Sequence, residues 1–184
     1  MTAASVLDLD SLAREIPVIF PEAAGFYKHN CMICFDNQGH SSGVSLAVER
    51  EEGNTHLPVL WAGAVDTHMK KAYADLRKAT EYAACAIGLL LVRELTGFTA
   101  VEQAMIGTTV DYYLAQQVPD DTLIFNDAPR LETSGILQEE GTNTVDRRVR
   151  EKLERLKVDA LPAIIAVVEF GCPKSKMVHH DDRS

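Results

Sequence analysis

Short apolar runs broken by polar, turn-forming residues dominate the first third of the chain. Cys31 to Phe35, Val44 to Glu49 and Leu57 to Trp61 read as strands, separated by Asp36 to Gly43 and by Glu51-Glu52-Gly53-Asn54. A short helix is expected over Ser11 to Ile16, ahead of Pro17 and Pro21. The pattern then changes period. From Lys70 to Leu95, residues Ala72, Leu76, Ala79, Ala83, Ile87, Leu90 and Leu91 recur at helical spacing, and Thr96-Gly97 provides a stop. Ala100 to Met105, Thr109 to Leu114 and Arg130 to Ile136 predict three further strands. A second helix is expected over Thr144 to Lys157, with Val145, Val149, Leu153 and Leu156 as its stripe and Asn143 or Thr144 as cap. Ala163 to Phe170 is almost wholly apolar, as a strand covered on both faces should be. Lys174 to Ser184 reads as a flexible tail.

This order predicts one α/β (α+β) domain with a mixed central sheet flanked by helices. Residues 1–66 form an N-terminal antiparallel extension, 70–170 the core and 174–184 the tail. The length of 184 residues suits a single domain.

Charge narrows the range of partners. The chain carries 27 acids against 18 bases, a net charge of −9, which argues against a protein that coats nucleic acid or an anionic membrane. The second helix departs from this balance: Thr144 to Val158 holds six bases and three acids. No apolar run has the length of a membrane span and the N-terminus does not read as a secretory signal, so a cytoplasmic location is expected. Cys31 and Cys34 lack a second ligand pair for zinc and read as reduced thiols. Ser134-Gly135 lacks a nucleophile elbow, and Gly39 to Gly43 lacks the lysine of a phosphate loop.

Three acids remain as candidates for chemistry: Glu81 in the long helix, Asp111 beside the second core strand and Glu132 within the third. Carboxylates on neighbouring strands, joined by one from a helix, make an oxygen-rich site for Mg²⁺ or Mn²⁺. Each acid also has a structural alternative. Glu81 has Arg77 and Lys78 within one helical turn, Asp111 follows Gly-Thr-Thr and suits a strand cap, and Glu132 shares a strand face with Arg130.

A helix with Glu, a strand with Asp, a strand with Glu at the start of a Glu-x-Lys position, then helix and strand resembles the core of the PD-(D/E)xK nuclease-like superfamily. The resemblance covers Lys70 to Phe170. It implies a restriction-endonuclease-like fold, with Glu81, Asp111 and Glu132 as catalytic acids and Asp111 and Glu132 as ligands of Mg or Mn, and no organic cofactor. Ser134 stands where the family has its lysine, so Lys152, Arg148 or Arg150 of the next helix becomes the candidate replacement. Arg148, Lys152 and Arg155, along one flank of that helix, are the implied nucleic-acid contacts. The resulting expectation is a divalent-metal-dependent nuclease-like protein acting on DNA or RNA, with weak or absent activity. The alternatives are a non-catalytic subunit of the same fold, engaged with a protein partner or a second copy of itself, and a small-molecule-binding protein.

Overall fold

The computed structural model describes residues 5–105, 111–116, 128–156 and 162–181. Among the described residues, eight strands and five α-helices follow one another. A two-residue strand β1 (Leu7–Asp8) leads through a 3₁₀ turn into α1 (Leu12–Glu15) and α2 (Pro21–Asn37). The hairpin strands β2 (Val44–Glu49) and β3 (Thr55–Leu60) come next, then α3 (Thr67–Ala72) and α4 (Leu76–Thr96). After these come β4 (Thr99–Gln103), β5 (Tyr112–Ala115), β6 (Arg130–Ile136), α5 (Val145–Leu156), β7 (Ala163–Glu169) and β8 (Lys174–His180).

All eight strands join one mixed sheet in the order β1-β3-β2-β8-β7-β6-β5-β4. The β6–β7 pair is parallel, with α5 as its crossover, and β4, β5 and β6 form an antiparallel meander. Alternation along β7 divides the interior in two. Ile164, Ala166 and Val168 join the large core beneath α4 and α2, while Ala163, Ile165 and Val167 pack beneath α5 with Val145, Val149 and Leu156. The expected α/β class and the doubly covered strand are both present.

Two glycines bring α4 onto β6. A Cβ on Gly135 would lie 2.3 Å from the Thr80 carbonyl oxygen, and one on Gly88 would lie 2.8 Å from Thr133 Cγ2. Only the absence of a side chain at both points permits this approach, which sets Cys85 of α4 against Thr133 of β6.

Three expectations are corrected. Cys31 to Phe35 is the last part of α2, not a strand. Pro21 opens that helix, and residues 30–35 are buried in succession, so no periodicity separates helix from strand there. Cys31 and Cys34 are indeed free thiols, turned toward α4: Cys31 Sγ lies 3.4 Å from the Ala83 carbonyl oxygen and Cys34 Sγ 3.7 Å from Thr80 Oγ1. The helix expected from Lys70 is two helices. The Tyr73 amide closes α3 on Met69, and the Asp75 carboxylate caps α4 by accepting from the Lys78 amide. Residues 174–180 of the supposed tail form β8, paired in parallel with β2 and antiparallel with β7. The N-terminal hairpin is therefore continuous with the core sheet through β8. Of the strand expected over Thr109 to Leu114, residues 109 and 110 lie outside the described residues.

Candidate functional site

A cleft of about 1040 Å³ opens where β5 begins, between residues of α4 and residues of α5. Asp111 enters it from a backbone tied to both neighbouring strands. Its amide donates to the Leu131 carbonyl at 2.8 Å, and its carbonyl accepts from the Ala104 amide at 2.8 Å. Its carboxylate is fixed as well, because Oδ2 accepts from the Thr133 amide and from Thr133 Oγ1, each at 2.7 Å. Cys85 Sγ lies 3.2 Å from the same Thr133 hydroxyl. Burial, aided by the Asp111 charge, pushes the Cys85 thiol up to about 12. The thiol is thus protonated at neutral pH and donates to Thr133, whose own proton goes to Asp111.

Glu132 precedes Thr133 and points to the opposite face of β6, beneath α5. It is 7% exposed and ion-paired through Oε1 with Lys152 Nζ, two turns into α5. Burial raises the Glu132 carboxyl to about 7 and the Asp111 charge adds to the rise, while Lys152 and Arg155 oppose it. The two strand carboxylates therefore sense each other across the sheet edge. Lys152 lines the cleft, and Glu132 adjoins it through that lysine.

Ser134, at the lysine position of the resemblance, accepts a hydrogen bond from an Arg148 guanidinium nitrogen at 3.1 Å. Asn143 Oδ1 accepts from Arg148 Nε at 3.0 Å, so two polar groups orient that guanidinium in the cleft. Arg155 lines the cleft one turn beyond Lys152. The flank Arg148, Lys152, Arg155 thus faces the acids. Its i, i+4, i+7 spacing is what made it legible in the sequence.

Glu81 lies on the cleft wall, but its side chain is 66% exposed and lies 4.0 Å from Arg77. Among the described residues, no group of three or more His, Cys, Asp or Glu side chains is arranged to hold a metal ion. Glu81 and Asp111 both line the cleft, while Glu132 lies outside the lining and is linked to Asp111 through charge alone. Two features escaped sequence reasoning. Thr133 gave no signal, because its role depends on the register between β5 and β6. The aromatic wall formed by Tyr27 and Tyr82 gave none either, because its members come from two helices distant in sequence.

No family model, no curated protein and no solved structure matches this chain.

Proposed function

We propose that this cleft is a divalent-metal-dependent site for phosphodiester hydrolysis, with Asp111 and Glu132 as its carboxylates and Lys152 in place of the missing strand lysine. The observation carrying this reading is the Lys152–Glu132 ion pair beside Asp111. A cation absent from position 134 of β6 reaches the same carboxylate from α5. The element order α4-β4-β5-β6-α5-β7 adds support, since it follows the helix–strand–strand–strand–helix–strand order of the nuclease-like superfamily.

The donor set suits Mg²⁺ or Mn²⁺. Both acids supply hard oxygens, and the hydrogen bonds among the described residues engage only Oδ2 of Asp111 and Oε1 of Glu132. The rise in the Glu132 pKa marks repulsion and burial that a nearby cation offsets. Such an ion polarises a phosphoryl oxygen and lowers the pKa of bound water.

The protein's own groups do the rest. Thr133 fixes Asp111, and Lys152 holds Glu132 while offsetting charge on a scissile phosphate. Arg148, oriented by Asn143 and Ser134, binds a phosphate oxygen.

The test is thermal unfolding and oligonucleotide cleavage in chelator, millimolar Mg²⁺ and millimolar Mn²⁺. The reading expects Mn²⁺ to raise the melting temperature of the wild type but not of Asp111→Asn. It also expects slow cleavage in Mn²⁺ that disappears in Lys152→Met. A wild type indifferent to both ions, with no cleavage, retires the catalytic reading in favour of a non-catalytic subunit.

A further inference from the structure

One wall of the cleft is aromatic. Tyr82 of α4 and Tyr27 of α2 line it, with ring centroids 6.0 Å apart at 80°. Phe26 stands 4.7 Å from Tyr82 at 74° and 6.0 Å from Tyr73, which sits at the α3–α4 joint. Tyr27 is anchored, its hydroxyl 3.2 Å from that of Tyr112. Tyr82 and Phe26 are 40% and 41% exposed, so each offers ring surface to solvent while its neighbours hold it in place. Neither ring belongs to the buried core.

Charge identifies the occupant. In a chain of net charge −9, this cleft is lined by four bases, Arg77, Arg148, Lys152 and Arg155, against three acids, Glu81, Asp111 and Glu151, and three of the bases share its α5 side. Clustered cations select a polyanion, and rigid, half-exposed rings beside them select flat, unstacked heterocycles. In a duplex the bases are stacked on one another and have no free face to give. We infer that the cleft takes single-stranded nucleic acid in preference to duplex, with the backbone on the α5 cations and a base stacked on Tyr82 and Phe26. This inference rests on the proposed phosphodiester site only for the position of the backbone.

The experiment is fluorescence anisotropy in chelator, with a labelled single-stranded oligonucleotide and the duplex of the same sequence. The single strand is expected to bind about tenfold tighter than the duplex. Tyr82→Leu should weaken single-strand binding about tenfold and leave duplex binding unchanged, whereas Tyr82→Phe should retain it. Phe26→Leu, read alongside, should act in the same direction. Arg148→Ala should weaken binding of both and reduce the salt dependence by about one phosphate contact. Equal affinity for the two forms overturns the inference, as does indifference to Tyr82→Leu in protein with wild-type circular dichroism, or no binding at all. Cleavage in Mn²⁺ is scored separately. Duplex cleavage unaffected by Tyr82→Leu leaves the hydrolytic site standing without the platform. Single-strand binding without cleavage leaves the platform standing without the chemistry.

Discussion

Lys152 of α5 and Glu132 of β6 form an ion pair in which the carboxyl nonetheless titrates near neutrality, at about 7. Burial outweighs the lysine, and the neighbouring Asp111 charge works in the same direction as burial.

That balance fixes a pH dependence. The ordinary value for Glu is 4.5, and the folded value lies near 7. Between them the native protein keeps a proton that the unfolded chain has released, so this group makes the fold less stable as pH rises through that window. The effect amounts to up to ~3 kcal/mol, and it levels off above pH 7. Urea unfolding from pH 4.5 to 8 should show the decline, and Glu132→Gln should flatten it. A carboxyl ¹³C titration of Lys152→Met should place Glu132 higher still, because the lysine lowers it.

Asp111 has a structural task beside any catalytic one. Asp111→Ala strands the Thr133 amide and hydroxyl, both on a residue only 6% exposed, and should cost about 2–3 kcal/mol. Asp111→Asn keeps a carbonyl oxygen that can accept from both donors, as Oδ2 does, and should cost less than half as much. Equal losses in chemical denaturation would show that Thr133 finds other partners.

The contact of α4 with β6 tolerates no added carbon. Gly135→Ala should destabilise by about 2–4 kcal/mol, because the new Cβ meets backbone that can move only if the whole of α4 moves. Gly88→Ala, opposed by a side-chain methyl, should cost less. Since Cys85 and Tyr82 lie on α4, Gly135→Ala should also weaken oligonucleotide binding. Unchanged stability would mean that the helix rides further from the sheet.

Removing β8 tests the continuity of the sheet. A chain ending at Pro173 loses the strand between β2 and β7 and exposes edges of both. It should fail to unfold cooperatively on heating.

The sequence was legible where periodicity and burial agreed. Arg130 to Ile136 is β6 at both ends, and the stripe Val145, Val149, Leu153, Leu156 marks α5. It was not legible where a segment is buried all round, as residues 30–35 are, since alternation then vanishes. Nor was it in β8, whose Lys174, Lys176 and two histidines have the composition of an exposed end. There the lysines reach Glu139, Glu49 and Asp146, and only Ser175 and Met177 are fully buried. That β5 and β6 are neighbours could be read in advance, because strands that follow one another along the chain tend to pair. The Tyr82 platform could not, because helix packing, not spacing, assembles it.

The position of β8 also constrains the order of folding. Val48 pairs with Ser175, and Ala47 with Lys174, so the hairpin made first during synthesis waits for a strand near the other end of the described chain. Until β8 arrives, β2 has an open edge and half of the eventual sheet lacks its neighbour. Contacts of such separation slow the search for the native state and lengthen the life of an association-prone intermediate. Refolding should therefore be slow for a domain of this size and should depend on protein concentration, with the loss in yield traceable to the uncovered edge of β2.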